Sequence, residues 1–437
     1  MDLKILRSSL SPNPLIVLLS VVAGCASVKN LGVTNDLNQL IRESEILQDQ
    51  YMGYTVYDPS TDRTLLAINE DKYFTPASNT KLFTLYTSLL SLPDSVPTFA
   101  YRLEENKLIL KPLGDPTFLH PDFESQEVIT QLKNFPVDTI LIHWPNEEPE
   151  RYGPGWSWDD YSYGYQVERT TLPMYGNVLT ITQIDSTTIS PSFFSDFVGY
   201  ARAPEVYRDR YQNIFHIPID TIEGDTTTYR VPIQNNHELT QLLLSTETGK
   251  SVKAHDAAFF YPRDTLYNGP STPLLALMAK RSDNFLAEQL LHMSATLSQS
   301  ESVDAHIMKL GEGEMSFLPD SLIWVDGSGL SRYNMITPRN QVALLKRMYQ
   351  TWNWEDLSAL LPTGGVSGTI RSWYGAETPY VFAKTGTLRH NHCLSGYVKT
   401  KSGKTLIFSF MNNHFTRPSS EIKREMQRLL EMIRDTY

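Results

Sequence analysis

The stretch FTPASNTKLF, residues 74–83, carries the most information about the fold. It places Ser78 three residues before Lys81 and continues into an apolar run that is typical of a buried helix. Residues three apart on a helix share a face, so the hydroxyl and the amine are expected to lie side by side. A serine hydroxyl is a weak nucleophile until a base takes its proton, and lysine is a base only where burial or a second cation keeps it neutral. The stretch therefore predicts a nucleophilic serine at the start of a buried helix.

Two short strings further along the chain extend this interpretation. The string SDN supplies Ser282, a hydroxyl that can relay a proton, and Asn284, an amide that can hold a substrate backbone. The string KTGT begins at Lys384 on a strand-like run and offers a cation and hydroxyls to a substrate carboxylate. The SxxK spacing also occurs at residues 420–423, so no single string is specific. In this order, the three strings predict a serine acyl-transfer site that uses lysine as its proton carrier.

The first 24 residues predict an export signal and are left out of the fold. Lys4 and Arg7 form a short positive region, and residues 15–22 form an apolar stretch that is too short to span a bilayer. Residues 1–24 are therefore interpreted as a lipoprotein signal peptide.

The string VAGC that ends at Cys25 is typical of a bacterial lipobox. It predicts that Cys25 is the lipidated first residue of the mature protein, with an ordinary signal peptide or an uncleaved anchor as the alternative. Ala26 at the next position favours the outer membrane over the inner membrane. The sequence thus predicts a periplasmic protein whose only contact with the membrane is its lipid anchor.

Composition excludes several kinds of partner. The net charge is −11 and the chain has no basic block, which argues against nucleic-acid binding. The chain has two cysteines, so lipidation of Cys25 would leave Cys393 as the only thiol and no internal disulfide. His390 and His392 lack a carboxylate or cysteine cluster at ligand spacing, and we interpret them as a polar pair on a loop. No metal and no cofactor are expected.

The chain divides into a peptidase-like domain and an insertion. Helix, hairpin and strand patterns near both termini predict one α/β domain built from residues 25–96 and 234–437. Residues 97–233 are richer in Asp, Thr, Tyr and Pro with short β-like runs, and predict an inserted β-containing domain. Trp156 and Trp158 are most simply core anchors of that insertion.

The element predictions follow from hydrophobic periodicity and turn residues. Helices are predicted at residues 35–47, 235–246, 273–293 and 419–434. Strands of the terminal domain are predicted at residues 54–57, 64–68, 380–384, 393–399 and 405–411.

The ordered motifs resemble those of the class C low-molecular-mass penicillin-binding proteins, the D-alanyl-D-alanine carboxypeptidase/endopeptidase family. The 203 residues between Ser78 and Ser282 fit this family, because related β-lactamases lack such an insertion. Further similar stretches are LGDPT (113–117), GWSWDD (155–160), DGSGLSR (326–332) and GGVSGT (364–369). The string RHNH at residues 389–392 is bulkier than the family pattern, and residues 190–226 match nothing in it.

The resemblance implies a fold and a set of catalytic roles. The fold would be α/β, a penicillin-recognising serine transpeptidase-like domain with an antiparallel sheet flanked by helices, a helical subdomain and the inserted domain. Ser78 would attack the penultimate D-alanine carbonyl and Lys81 would be the general base, although the identity of the base stays open. Ser282 would relay a proton to the leaving amine, and Asn284 would hold the acyl chain. Lys384 would lower the proton affinity of its neighbours.

Substrate-binding roles follow from the same resemblance. Thr385, Gly386 and Thr387 would bind the terminal carboxylate with Lys384, and the backbone N–H groups of Ser78 and Thr387 would form the oxyanion hole.

A second group of residues is implied to face the third residue of the stem peptide. Asp160 and Tyr165, with Arg332 on a nearby loop, suit a zwitterionic amino-acid terminus such as the free end of diaminopimelic acid. The alternative is that Asp160 and Arg332 form a structural ion pair.

The implied partners are peptidoglycan stem peptides and, as covalent inhibitors, β-lactam antibiotics. Two other functions stay open at this point: a serine β-lactamase, and a catalytically idle lipoprotein that binds the cell wall.

Overall fold

The structure is a computed structural model that describes residues 35–183, 187–219 and 227–437. The predicted signal peptide and Cys25 lie outside the described residues. Within the described ranges, no helix is long and apolar enough to cross a membrane.

The helices and strands have the following bounds. The α-helices are α1 (35–43), α2 (Glu45–Gln48), α3 (Lys81–Ser91), α4 (Glu127–Asn134), α5 (His237–Thr248), α6 (Ser271–Arg281), α7 (Asn284–Leu297), α8 (Val303–Glu312), α9 (Pro338–Thr351), α10 (Trp354–Leu360) and α11 (Ser419–Thr436). The strands are β1 (Tyr51–Asp58), β2 (Arg63–Ile68), β3 (Ser95–Glu104), β4 (Lys107–Pro112), β5 (Thr139–Ile142), β6 (Val178–Gln183), β7 (Thr187–Ser190), β8 (Val198–Ala201), β9 (Tyr207–Arg208), β10 (Phe215–Pro218), β11 (Thr227–Pro232), β12 (Ser251–Ala254), β13 (Asp264–Pro270), β14 (Val381–Leu388), β15 (Asn391–Lys399) and β16 (Thr405–Asn413).

The two ends of the chain build one antiparallel sheet. Its strand order is β14-β15-β16-β1-β2, so the first hairpin of the chain pairs with the last three strands. Almost every residue of β15 and β16 is buried, because helices cover both faces of the sheet. On one face α11 packs through an apolar stripe at helical spacing that includes Ile422, Met426 and Ile433. The predicted α/β class and the predicted strands of this sheet are confirmed.

The other face of this sheet supports a helical subdomain. Helices α3, α6, α7 and α9 share one hydrophobic core with it. Helix α3 is buried from Lys81 to Ser88 and α7 is buried over most of its length, so both lie at the centre of the domain. The prediction of two helices on either side of the SDN string is confirmed by α6 and α7. The catalytic strings therefore meet where the helical subdomain borders β14.

The inserted region contains a second five-stranded sheet. Its order is β12-β5-β4-β3-β13, with β4, β5 and β12 parallel and β3 antiparallel to both of its neighbours. Strands β12 and β13 come after residue 233, where sequence patterns placed the end of the insertion. Helix α5 also contributes Leu243 and Leu244 to the core of this region. The structural unit of the insertion thus extends to about residue 270, because β13 returns along β3 before α6 begins.

Two small sheets complete the inserted region. Their orders are β11-β6-β7 and β8-β10-β9. The second sheet lies within residues 190–219, in the stretch that matches nothing in the family pattern. Its Phe215 and Ile217 are fully buried in the core of the insertion.

The helix predicted at residues 35–47 is divided in two. Helix α1 ends at residue 43, and the Ser44 hydroxyl accepts a hydrogen bond from the backbone N–H of Leu47, which caps α2. A serine at this position competes with the helix for backbone hydrogen bonds, which explains the break.

Candidate active site

Ser78 lies on a short 3-10 helix, Ala77–Thr80, immediately before α3. Side chains three residues apart are eclipsed on a 3-10 helix, which brings Lys81 directly over Ser78. The Lys81 Nζ atom lies 3.0 Å from Ser78 Oγ. It also donates to Asn284 Oδ1 at 2.7 Å and to the carbonyl oxygen of Ser328 at 2.6 Å. The amine is thus fixed beside the serine hydroxyl by two further acceptors.

Burial allows Lys81 to act as a base. The side chain is 1 % exposed, and burial lowers the pKa of Lys81 to about 8. Nearby carboxylates of Asp326, Glu288 and Asp283 act in the opposite direction and keep the pKa from falling further. A lysine with a pKa near working pH has a substantial unprotonated fraction and can accept the serine proton.

The SDN string is positioned by a tight junction between two helices. Ser282 adopts left-handed backbone angles (φ 60°, ψ 39°) and ends α6. The Asp283 carboxylate then accepts the backbone N–H of Leu286 at 2.9 Å and caps α7. Asn284 begins α7, and its Nδ2 donates to the carbonyl oxygen of Tyr165 at 2.8 Å. The junction therefore connects the catalytic lysine to the inserted region through one amide side chain.

Lys384 contacts the Ser282 hydroxyl. Its Nζ lies 2.7 Å from Ser282 Oγ and 2.7 Å from the carbonyl oxygen of Thr385. The side chain is fully buried, and burial together with the charge of Lys81 holds the pKa of Lys384 well below its usual value. Each of the two lysines with a lowered pKa therefore contacts a serine hydroxyl: Lys81 contacts Ser78, and Lys384 contacts Ser282.

The glycine of the KTGT string allows β14 to approach the nucleophile. A Cβ atom on Gly386 would lie 2.2 Å from the Pro76 carbonyl oxygen and 3.0 Å from the backbone nitrogen of Ser78. Asn79 Nδ2 donates to the carbonyl oxygen of Lys384 at 3.1 Å and holds the strand against this turn. Only glycine fits at this contact, which explains why the string needs it between two hydroxyl residues.

Thr385 and Thr387 each bond a neighbouring side chain. Thr385 Oγ1 lies 2.7 Å from Thr369 Oγ1, and Thr387 Oγ1 lies 2.8 Å from His392 Nδ1. His392 is buried on β15, opposite Thr387 in the strand register, and is not on a loop as the sequence suggested. Burial lowers the pKa of His392 to about 3, so this imidazole is neutral at physiological pH.

Two carboxylates that sequence reasoning did not assign support the site. Asp326 accepts the backbone N–H groups of Gly329 at 2.8 Å and Ser331 at 2.7 Å, and it also accepts the Trp156 indole at 2.9 Å. Glu288 accepts the backbone N–H of Ser328 at 2.7 Å. Together they fix the segment whose Ser328 carbonyl holds Lys81. The DGSGLSR string could be recognised in the sequence, but only the structure shows that it holds Lys81 in place.

The two tryptophans of the insertion differ from their predicted role. The Trp156 indole bonds Asp326 and so joins the insertion to the catalytic segment. Trp158 is 67 % exposed, and Arg210 lies over its ring at 4.5 Å. Trp158 is therefore a surface residue and not a core anchor.

The three residues expected to face the stem peptide, Asp160, Tyr165 and Arg332, do not all contact one another. Burial, followed by the influence of the nearby Asp160 carboxylate, raises the pKa of Tyr165. The exposed Arg332 donates instead to the carbonyl oxygen of Arg389 at 3.2 Å. The ion pair considered for Asp160 and Arg332 is not formed.

No cluster of three or more His, Cys, Asp or Glu side chains that could hold a metal ion occurs in the described part of the chain. The site consists of two serines, two lysines and an asparagine, and its chemistry is that of acyl transfer to a hydroxyl.

Comparisons with known proteins show which family the chain resembles. The family model described as the D-Ala-D-Ala carboxypeptidase 3 (S13) family matches residues 33–191 and 237–433. The D-alanyl-D-alanine carboxypeptidase DacB of Haemophilus influenzae is 22% identical over 479 residues, covering 96% of each chain. The penicillin-sensitive carboxypeptidase A of Dictyostelium discoideum is 22% identical over 84% of this chain and 83% of its own length.

Solved structures show the same fold. Penicillin binding protein 4 of Haemophilus influenzae superposes with a TM-score of 0.72 at 19% identity, covering 92% of this chain and 99% of that one. A predatory endopeptidase of Bdellovibrio bacteriovorus superposes with a TM-score of 0.50 at 17% identity, covering 87% and 93%.

Proposed function

The chain belongs to the D-Ala-D-Ala carboxypeptidase 3 (S13) family, and we propose that it uses Ser78 to cleave peptide bonds between D-amino acids in peptidoglycan. Its substrates are stem peptides and their cross-links, and the intermediate is an acyl-enzyme that β-lactams also form. One observation carries the assignment of the nucleophile. Lys81 Nζ lies 3.0 Å from Ser78 Oγ, in a buried environment that lowers the pKa of the lysine.

Acylation moves one proton from Ser78 to the leaving amine. Lys81 accepts the proton of Ser78 as Oγ bonds to the carbonyl carbon of the penultimate D-alanine. The C–N bond then breaks, and the Ser282 hydroxyl, which Lys384 contacts at 2.7 Å, relays the proton. Ser282 gives its own proton to the leaving amine and takes up the proton that Lys81 removed from Ser78, so Lys81 and Ser282 both return to their starting states. In deacylation a water attacks the ester carbonyl, and Ser78 recovers its proton as the acid product leaves.

Backbone N–H groups stabilise the tetrahedral intermediates. Gly386 places β14 against the Ser78 turn, so the N–H groups of Ser78 and Thr387 are suited to hold the oxyanion. Donors of this kind contribute roughly 3–4 kcal/mol to lowering the barrier.

The alternatives have less support. A β-lactamase has no use for a large inserted domain, and the family model that matches the chain is one of carboxypeptidases. An idle binding protein has no need of two lysines, each in contact with a serine hydroxyl.

Release of D-alanine from a peptide that ends in D-Ala-D-Ala tests the assignment. The wild-type protein should release it, and Ser78→Ala should lose activity while keeping the same melting temperature. Ser420→Ala is a matched control, because Ser420 stands in a second SxxK string at the start of α11, away from the site. Equal activity of Ser78→Ala and wild type would show that the nucleophile is another residue.

Asp160 and Tyr165 are proposed to recognise the free ammonium of the third stem residue. The hydrogen bond from Asn284 to the Tyr165 carbonyl oxygen supports this proposal, because it ties the segment that carries Tyr165 to the acyl-binding amide. Arg332, on the exposed segment beside Arg389, is proposed to meet the carboxylate of the same side-chain terminus.

Substitution of Asp160 distinguishes a role in substrate recognition from a structural role. Asp160→Ala should lower kcat/KM about ten-fold for peptides with a free side-chain ammonium, the effect of one lost charged hydrogen bond. Peptides with an uncharged third residue should be cleaved as before. Equal losses on both peptides, with a lower melting temperature, would assign Asp160 a structural role.

Export and lipid anchoring are proposed from the sequence string that ends at Cys25. Lipidation of this thiol would place the enzyme in the periplasm, at the outer membrane. Cys25→Ser should give an unprocessed or soluble protein, because the lipid is attached through the sulfur. Unchanged mass and unchanged membrane attachment in this variant would favour an uncleaved helical anchor.

A further inference from the structure

A cationic cavity lies beside the KTGT strand. It has a volume of about 850 Å³ and opens between the end of α6 and residues 368–373. Its charged lining residues are Lys280, Arg281 and Arg371, and no carboxylate lines it. In a chain with a net charge of −11, a cavity with only positive charges is suited to an anionic ligand.

Two of the three cations are available to a ligand. Arg281 pairs with Asp122, which also pairs with Arg230. Neither Lys280 nor Arg371 forms an ion pair within the described part of the chain, and Arg371 is exposed. A guanidinium and an ammonium without partners can bind carboxylates, the arginine through two parallel N–H groups.

Two lining residues of the cavity adjoin residues of the catalytic site. Arg281 directly precedes Ser282, the hydroxyl assigned to protonate the leaving amine. On the other side Thr369 lines the cavity, and its Oγ1 lies 2.7 Å from Oγ1 of Thr385, which is assigned to the substrate carboxylate. The cavity is therefore linked, through Arg281 and Thr369, to the residues assigned to the leaving amine and to the substrate carboxylate.

The walls of the cavity are held in place before any ligand binds. A Cβ atom on Gly368 would lie 2.9 Å from the Lys280 carbonyl oxygen, so this glycine brings the 368–373 segment against α6. Trp373 forms part of the lining, and Lys423 lies over its ring at 5.7 Å. A preformed cavity loses less entropy when it binds a ligand.

The two reactions of the proposed function have different leaving groups. Trimming of a stem peptide releases a single D-alanine, whose one carboxylate is bound by the KTGT strand. Cleavage of a cross-link releases the amine of a second stem peptide, which is longer and carries further carboxylates. Only the second leaving group extends beyond the carboxylate that the KTGT strand binds.

We propose that the Lys280–Arg371 cavity binds carboxylates of the leaving stem peptide and so directs the enzyme toward cross-link cleavage. This inference rests on the proposed function and adds a binding site for the second peptide of a cross-link. It predicts that the two cations affect endopeptidase activity and leave carboxypeptidase activity unchanged.

The test compares kcat/KM for three substrates in the full chain. The first is a monomeric stem peptide that ends in D-Ala-D-Ala, and the second is a cross-linked peptide dimer with free carboxylates. The third is the same dimer in which the carboxylates of the leaving strand are amidated, while the carboxylate next to the cleaved bond stays free. The double variant Lys280→Ala/Arg371→Ala should lose about ten-fold on the carboxylate dimer, as expected for lost charged hydrogen bonds. It should match wild type on the monomer and on the amidated dimer. The loss should shrink as salt is raised, because exposed charges are screened.

Lys253→Ala provides a matched control. Lys253 is an exposed cation on β12, at the edge of the inserted sheet opposite β13, and should leave all three rates unchanged. Equal losses of the double variant on monomer and dimer, or no loss on either, would overturn the leaving-strand site. An equal loss on the free and the amidated dimer would overturn its carboxylate specificity. If wild type cleaves none of the substrates, the proposed function itself fails, which is a separate result.

Discussion

Lys81 lies in an unusual environment for a lysine side chain. It is buried, yet it bonds Ser78, Asn284 and the Ser328 carbonyl. If Lys81 were buried without these acceptors, its amine could not carry a charge. If it had the acceptors without burial, the amine would stay protonated. The combination produces a lysine that can change its protonation state during the reaction.

The lowered pKa of Lys81 predicts a pH profile. Only the unprotonated amine accepts the Ser78 proton, so kcat/KM should rise about ten-fold per pH unit below the pKa and level off above about 8. The acylation rate with a chromogenic β-lactam, measured from pH 5.5 to 9.5, checks this. A rate that is constant across that range would show that Lys81 is not the base.

His392 is expected to orient the Thr387 hydroxyl. Its imidazole is neutral, and its Nδ1 lies 2.8 Å from Thr387 Oγ1. Thr387 can donate its proton to a substrate carboxylate only if the Nδ1–H of His392 donates to Thr387 Oγ1. His392→Phe should therefore lower kcat/KM about ten-fold for peptides with a free terminal carboxylate, the effect of one charged hydrogen bond.

A double-mutant cycle separates this role from general packing. If His392 acts through Thr387, the losses in His392→Phe and Thr387→Val should not add in the double variant. Esters of the same peptide, which lack the carboxylate, should show little loss. Fully additive losses, or equal losses on the ester, would assign His392 to core packing alone.

At the scale of elements, the contact between β14 and the Ser78 turn sets the geometry of the site. The strand and the turn touch through Gly386, and the Asn79 side chain bonds the strand backbone. The short 3-10 helix and the strand therefore act as one support for the nucleophile and its oxyanion donors.

Gly386→Ala should separate these two elements. The new methyl group would meet the Pro76 carbonyl oxygen at 2.2 Å, so the backbone has to move, and overpacking of this kind costs about 1–3 kcal/mol. We expect a lower melting temperature and at least a hundred-fold slower acylation. Gly311→Ala in α8 is the control, because it meets no atom within 4 Å and should leave acylation unchanged. Normal acylation in Gly386→Ala would contradict the close-contact model.

Local patterns were sufficient to predict most elements of the catalytic domain. The strands of the terminal sheet and the helix pair α6 and α7 were visible because alternation and helical spacing are properties of neighbouring residues. The left-handed backbone of Ser282 and the 3-10 helix at Ser78 could not be predicted, because the same short sequences are compatible with several backbone conformations.

At the scale of the whole molecule, the site depends on contacts between distant parts of the chain. The Trp156–Asp326 hydrogen bond joins residues that are 170 positions apart, and the Lys81–Asn284 bond joins residues 203 positions apart. No local signal in one sequence reveals such pairs. The same reason explains why β12 and β13 were separated from the insertion: their partners β5 and β3 lie more than 100 residues earlier.

The inserted region is not an isolated appendage of the catalytic domain. Trp156 bonds the Asp326 segment, Asn284 bonds the Tyr165 backbone, and Ser331 bonds the Pro154 carbonyl oxygen, so the region contacts the site at several points. Its distinct composition made it recognisable as an insertion, whereas its contribution to the catalytic groove appeared only in the structure.

The most direct test of the central claim is the location of the penicillin adduct. After brief exposure of the protein to penicillin, mass spectrometry should show one added penicillin per chain, on the peptide that contains Ser78. The adduct should persist for minutes and should be absent in Ser78→Ala. An adduct on another residue, or rapid release of hydrolysed penicillin without an adduct, would contradict the assignment of Ser78 as the nucleophile of a D-Ala-D-Ala peptidase.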